Sequence, residues 1–374
     1  MLLALVTASL LLLGYVGLRA QWAPTYAARW LGLAAVVSIY ELAVLFRRLP
    51  INIRPGEHEL LNNLGPGTLA TFFRGLMLSG AAGFAFSPRP PGLLAWAPMI
   101  LFTLGELLDF VDGYLARKTD HMTRLGESLD LEFDSLGMLI GSGLAVWYRV
   151  LPWPYLIIGA AGYLFRLGVW VRRRSSKPAR ELHASTSRRP IAGLMMGYLS
   201  VMLWPIVEPP ATTLAGLFFL VPFLASFTRD WLMVSGAIEP HGERYVRWRM
   251  QARSVLLRWV PLPVRALLVL TLILQSADGS ARLGDALILR ESVWPLITLE
   301  AFLGVVIGLG IAGRAAAFVL LFPVGLSIAF GEFNPNRALA LGGALTMLIL
   351  GTGKFSLWQP EESIFSRRAG ERRA

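Results

Sequence analysis

The sequence predicts an all-α, polytopic integral membrane protein, and three observations carry that prediction. Apolar residues make up 55% of the 374-residue chain and charged residues only 16%, where soluble domains carry roughly a quarter. The apolar residues gather into long blocks instead of alternating with polar ones, and mean hydropathy is +0.56. Most of the 35 lysines and arginines fall in short loops between those blocks, the distribution that the positive-inside rule describes. That bias accounts for the formal charge of +11, so no nucleic-acid partner is expected. The composition excludes disorder and disfavours a soluble enzyme. The chain has no cysteine, which excludes disulfides, zinc-thiolate sites, iron-sulfur clusters and cysteine nucleophiles.

A spanning helix needs about 20 predominantly apolar residues. Nine blocks before Val293 fit that demand: residues 1–18, 30–46, 69–86, 93–110, 136–150, 155–171, 191–207, 214–234, and 264–274 with its flanks. The first has neither a basic start nor a small-residue cleavage pattern and is read as a span, not a removed leader. The region 293–350 is too long for one span and divides at Arg314 and at Asn334-Pro335-Asn336-Arg337 into three, which gives twelve. With Met1 on the cytoplasmic side, alternation gathers the Arg47, Arg48 and Arg54 loop, the 172–189 loop, the 244–258 segment, Arg314 and the basic tail on that same side. The block 264–274 is short; without it the count is eleven and the basic tail falls outside. The stretch 239–259 carries Arg244, Arg247, Arg249, Arg253 and Arg258 among Trp248, Met250, Leu256 and Leu257. It reads as an interfacial linker helix whose cations face anionic lipid.

Chemistry concentrates in LLDFVDGYLARKTDHMTRLGESLDLEFDSL, residues 107–136. Asp109 and Asp112 are spaced i,i+3, and Asp130 and Asp134 i,i+4, so each pair shares one helix face. Two helices meeting there would gather four carboxylates. A charge at membrane depth costs at least about 2.5 to 3.5 kcal/mol, so something cationic must compensate. One candidate is a hard divalent cation, which suits an all-oxygen site and commonly acts with substrate phosphates. The other is simple pairing with Arg117, Lys118 and Arg124 at a helix end. Gly113 follows Asp112 directly and Gly126 stands one turn before Asp130, so a phosphorylated ligand could approach the backbone on both faces.

The pattern Asp109-x-x-Asp112-Gly113-x-x-Ala116-Arg117, eight further residues, then Gly126-x-x-x-Asp130-x-x-x-Asp134 resembles the signature of the CDP-alcohol phosphotransferase (CDP-alcohol phosphatidyltransferase) family. The resemblance extends over about residues 64–234 as a six-helix core. The opening Leu64-Gly65-Pro66-Gly67-Thr68-Leu69-Ala70-Thr71-Phe72-Phe73-Arg74 is similar to the family's first helix in its proline, threonine and following arginine. It implies transfer of a phospho-alcohol group from a CDP-alcohol to an acceptor hydroxyl, with release of CMP and with Mg²⁺ or Mn²⁺ as cofactor. By position it makes Asp109, Asp112, Asp130 and Asp134 metal ligands, with Asp134 also the candidate general base. Gly113, Ala116, Arg117 and Gly126 would then hold the nucleotide. A homodimer is expected on the same ground.

The resemblance leaves the substrates open. A phosphatidyltransferase using CDP-diacylglycerol in a cavity facing the cytoplasmic leaflet, in phospholipid biosynthesis, is the favoured expectation. Within the family the roles reverse if a soluble CDP-alcohol donates to a lipid hydroxyl. Outside it, intramembrane acids also suit a cation-coupled transporter, and a noncatalytic lipid-binding scaffold is a third class. For an anionic acceptor the candidates are Arg166 and Arg229, both within apolar helices where a cation needs a partner, and Arg188 and Arg189 in the 172–189 loop. That loop also fits plain topology determination. The four histidines are dispersed without ligand spacing.

The chain thus divides into N-terminal membrane helices and a linker (1–63), a catalytic domain (64–235), a basic interfacial linker (236–262), a C-terminal four-helix membrane module (263–360) and a basic tail (361–374). The ending Leu350-Gly351-Thr352-Gly353-Lys354-Phe355-Ser356-Leu357-Trp358 resembles that of DoxX-like membrane modules. With no clustered acids or histidines, this part reads as an accessory or dimer-supporting domain.

Overall fold

The computed structural model describes residues 2–180, 188–209, 211–239, 242–286, 293–330 and 335–360. Its regular structure is helical, α-helix apart from short 3₁₀ turns at Leu49–Ile51 and Gly92–Trp96 and a π turn at Val255–Trp259, and each of the twelve apolar blocks overlaps a helix. The first seven are α1 (Leu2–Gln21), α2 (Pro24–Arg48), α3 (Pro66–Ala82), α4 (Ala97–Lys118), α5 (Arg124–Trp147), α6 (Tyr155–Arg174) and α7 (Arg188–Met202). They are followed by α8 (Ala211–Val234), α9 (Glu243–Ser254), α10 (Pro261–Ala286), α11 (Val293–Leu309), α12 (Gly313–Phe330) and α13 (Pro335–Leu350). Among the described residues, Leu2–Gln21, Pro24–Ile51, Gly92–Lys118 and Glu243–Leu274 are long and apolar enough to cross a membrane by length and composition. The chain is an integral membrane protein. Helices such as α5 and α6 depart from that standard because they carry acids and arginines, which are the residues of chemical interest.

The chain forms two compact units, Met1–Ser176 with Pro190–Val207, and Lys177–Arg189 with Glu208–Ala374. In the first unit α3 is central: most of its residues are buried on all sides, as expected of a helix surrounded by others. It packs against α2, α4 and α5. Small residues let the backbones close up. A Cβ on Gly67 would lie 2.8 Å from the Ala116 methyl and 2.9 Å from the Asp112 carbonyl oxygen, so α3 and α4 touch at that level. Outside the membrane helices, Asn52 donates through Nδ2 to the carbonyls of Leu61 and Asn63 at 3.2 and 3.1 Å. This closes the segment after α2 on itself.

In the second unit α10 to α13 enclose an apolar core built on Leu268, Leu272, Ile307, Leu320, Val324 and Met347. The block 264–274, short in the sequence reading, lies inside the 26-residue α10. That helix is about 39 Å long at 1.5 Å per residue, enough for a hydrocarbon core of about 30 Å. Buried Arg265 donates to the carbonyls of Ile307 and Thr352 at 3.1 and 3.2 Å and to that of Gly308, joining the end of α11 to the segment after α13. Residues 331–334 and 361–374, including the Asn334 break and the basic tail, lie outside the described residues.

Candidate active site

The site is assembled on a hairpin of two helices. α4 ends at Lys118 and the chain turns at Asp120, whose φ of 48° is left-handed, a conformation that short polar side chains tolerate. His121 N–H bonds the Ala116 carbonyl at 3.0 Å and Asp120 N–H that of Arg117 at 3.4 Å, the paired pattern of a Schellman termination. Thr123 then opens α5, its hydroxyl accepting from Gly126 N–H at 3.0 Å, an N-cap. Asp112 lies seven residues before Thr119 and Asp130 seven after Thr123, each about 10 Å down its helix. The hairpin therefore sets the two acidic faces at one depth.

The organising cation is Arg74 of α3. Its guanidinium donates from Nη1 to Asp109 Oδ1 at 2.6 Å and Asp130 Oδ1 at 3.2 Å, and from Nη2 to Asp134 Oδ1 at 2.6 Å. Thr71, one turn earlier, donates to Asp112 Oδ2 at 2.8 Å. Arg74 is fully buried, while Asp109, Asp130 and Asp134 are 34%, 44% and 49% exposed. The arginine thus forms the floor of an acidic basin and the carboxylates its open rim. Oxygens of Asp109, Asp112 and Asp130 come within 4.8 Å of one another, an arrangement able to hold a metal ion. Four carboxylates against one guanidinium leave a deficit of three positive charges when all are ionised, which suits a divalent cation. Asp134 sits on the other arm of the Arg74 fork.

The four positions expected at the nucleotide lie further toward the hairpin loop. Ala116 is small because Gly67 crosses it. Gly113 lies under the Arg117 guanidinium, Nη1 being 3.2 Å from where its Cβ would stand. Gly126 faces Thr123 and Thr68 of α3, with hydroxyls 3.4 and 3.6 Å from its Cβ position. The N-terminal turns of α3 and α5 converge beside these small residues, and helix N-termini favour phosphate oxygens. Lys118 lies over the Tyr114 ring at 5.6 Å.

The acceptor candidates belong to both units. Arg166 pairs with Glu132 at 3.2 Å and lies over the Tyr163 ring at 4.7 Å. Arg229 belongs to the second unit and donates to Asp230 Oδ1 at 2.7 Å and Ser226 Oγ at 3.3 Å. Arg188 and Arg189 open α7, and their side chains lie outside the described residues, as does His183.

In the sequence Arg74 stands out only as the arginine that closes the opening segment 64–74, with no role attached to it. The available signal was a cation inside an otherwise apolar helix, which at such depth requires an acidic partner. Three further acids were missed. Glu106, one turn before Asp109, has a buried Oε1 that carries no hydrogen bond and lies 3.0 Å from the Cβ position of Gly137. Glu41 of α2 is buried and accepts from Ser79 at 2.8 Å. Glu132 stands between Asp130 and Asp134 in sequence but on the opposite face of α5. It accepts from Tyr40 at 2.6 Å, Arg48 at 2.8 Å and Arg166 at 3.2 Å. It therefore ties α5 to α2 and α6 while the two aspartates beside it face the basin.

Known proteins are similar to the stretch of sequence that builds this site. The family model described as CDP-alcohol phosphatidyltransferase matches residues 67–238, from α3 through α8. A CDP-diacylglycerol-glycerol-3-phosphate 3-phosphatidyltransferase of Salmonella choleraesuis (strain SC-B67) is 31% identical over 93 residues, which are 23% of this chain and 48% of that protein. The chain thus spans about half the length of that curated relative. No solved structure matches the chain. The acidic hairpin, the arginine beneath it and the family match coincide on one stretch of sequence, residues 67–238, which is similar to CDP-alcohol phosphatidyltransferases.

Proposed function

We propose that the protein is a membrane phosphatidyltransferase that moves the phosphatidyl group from CDP-diacylglycerol to an alcohol acceptor and releases CMP, in phospholipid biosynthesis. The observation that carries this is the basin of Asp109, Asp112, Asp130 and Asp134 over the Arg74 fork. Asp109, Asp112 and Asp130 would hold a divalent cation, Mg²⁺ or Mn²⁺, with Asp134 completing the set. When bound, that ion supplies the positive charge that neutralises a diphosphate and the CMP leaving from it. Thr71 fixes one oxygen of Asp112, and Arg74 fixes one oxygen each of Asp109, Asp130 and Asp134, so the acids are oriented before substrate arrives. The small faces of Gly113, Ala116 and Gly126, with Arg117, would admit the cytidine nucleotide.

Asp134 would take the proton of the acceptor hydroxyl. As it does so, the acceptor oxygen bonds to the phosphatidyl phosphorus and the bond from that phosphorus to the CMP oxygen breaks. The basin being in a membrane protein supports a lipid donor. The curated relative is named for glycerol 3-phosphate, which makes an anionic acceptor the first to test, with Arg166, Arg188, Arg189 and Arg229 as candidates to meet its charge. The active site would face the cytoplasm, where the basic loops are expected, and two copies of the chain would associate.

The deciding experiment incubates the purified protein and CDP-diacylglycerol with glycerol 3-phosphate, inositol phosphate, inositol, serine or phosphatidylglycerol, and follows CMP and the lipid product. Acceptor-dependent CMP release with one of them supports the proposal and names the product. Silence with all of them, alongside transfer from a soluble CDP-alcohol to diacylglycerol, overturns the assignment of CDP-diacylglycerol as donor.

A further inference from the structure

We propose that α9 and the turn after it form an interfacial anchor that docks on an anionic lipid surface. α9 is twelve residues long and buries none of them, and an isolated helix of about 12 to 15 residues is marginal in water. Its ion pair Arg247–Glu243 spans 3.9 Å between exposed groups and adds little. Among the described residues α9 is therefore held only lightly by the rest of the chain, and its surface says what further support it suits. Tyr245, Trp248, Ala252, Val255, Leu256 and Trp259 recur at steps of three and four, one apolar stripe along the segment. Trp248, Val255, Leu256 and Trp259 are all exposed.

Arginines border the stripe on both sides, Arg244 on one and Arg249 and Arg253 on the other, by helical position. With Arg247 and the single acid Glu243, α9 carries four positive charges and one negative, net +3. The same sign on a second copy would repel it, whereas an anionic surface is complementary. The membrane is also already at hand. Residues 255–259, a π-helical turn, separate α9 from α10, and the stretch Glu243–Leu274 contains a segment long and apolar enough to enter a bilayer. Trp259 stands just before Pro261, where α10 begins, at the level where aromatic side chains gather at membrane interfaces. A helix with Trp on one side and Arg flanking it lies in the interface plane, its apolar face about 5 to 10 Å into the headgroup boundary.

The test uses the full-length protein with Ala252→Cys, the sole thiol because the chain has no cysteine, labelled with an environment-sensitive fluorophore. The protein is reconstituted at less than one copy per vesicle in phosphatidylcholine alone or with phosphatidylglycerol. In the anionic vesicles a lipid-attached nitroxide quenches the label and aqueous iodide does not, and added salt reverses this. Gln substitution of Arg244 and Arg249 weakens the partition by about fivefold for each arginine removed. A label equally open to iodide in both vesicles overturns the proposal. So does equal protection in neutral vesicles, or protection that appears only at high protein density and points to a second copy.

Discussion

Arg74→Lys separates the charge of the basin floor from its geometry. The substitution keeps one positive charge at a fully buried position but replaces a planar fork by a single ammonium, which cannot reproduce bidentate contacts. In the structure Nη1 serves Asp109 and Asp130 while Nη2 serves Asp134, with 2.6 Å contacts on both arms. Losing one arm removes a charge-assisted hydrogen bond, ordinarily worth about 1.5 to 3 kcal/mol. Asp134, the acceptor on that arm, is half-exposed and water takes the vacated contact, so the lower part of that range applies, about 1.5 to 2 kcal/mol. If that energy goes into holding Asp134 where an acceptor hydroxyl meets it, kcat/KM for CMP release falls roughly tenfold to thirtyfold. The metal concentration for half-maximal activity moves far less, because the net charge beside the metal-ligand acids is unchanged. The assay is CMP release under varied metal and acceptor, with helical circular dichroism and a thermal transition as the check on folding. A folded Arg74→Lys protein with wild-type kcat/KM would refute the positioning role; a loss recovered wholly by more metal would show that Arg74 acts through charge alone.

Other outcomes follow from the same geometry. Asp130→Asn abolishes transfer in a protein whose thermal transition is near that of the wild type, since this side chain is one of the three clustered oxygen donors yet 44% exposed; retained turnover in a folded variant removes it from the metal site. Glu132→Ala lowers stability by about 1 to 3 kcal/mol, the cost of removing a buried acceptor whose charged partners Arg48 and Arg166 are partly exposed and regain water, because Arg48, Arg166 and Tyr40 all converge on it; a thermal midpoint within a degree of wild type would contradict the network's importance. Arg229→Ala raises the acceptor KM more than the donor KM if the acceptor is anionic, whereas equal changes mark Arg229 as a structural partner of Asp230.

What the sequence revealed and what it concealed have physical reasons. The acidic hairpin was legible because its logic is local: spacings of three and four residues place Asp109 with Asp112 and Asp130 with Asp134 on single helix faces. The helices were legible from apolar blocks, but the block 136–150 covers only the later part of α5 (Arg124–Trp147). Its first turns carry the acids and escaped a hydropathy criterion for that reason. Arg74 stands 35 residues from Asp109 and 60 from Asp134, so its convergence on them is a tertiary fact that no local spacing encodes. Glu132 was hidden differently. It lies two residues from each of two expected ligands and reads as part of one acidic run, until the 100° step per residue turns it to the far side of α5. There two arginines and a tyrosine meet it. Arg166, placed by sequence among acceptor candidates, is a member of that network.

The most direct test of the account is CMP release from CDP-diacylglycerol by the full-length protein before and after metal removal. Chelator-treated protein is expected to be silent, Mg²⁺ or Mn²⁺ to restore release with acceptor present, and neither ion to restore it in Asp130→Asn. Undiminished release in excess chelator would contradict the proposal that the carboxylate basin works through a divalent cation.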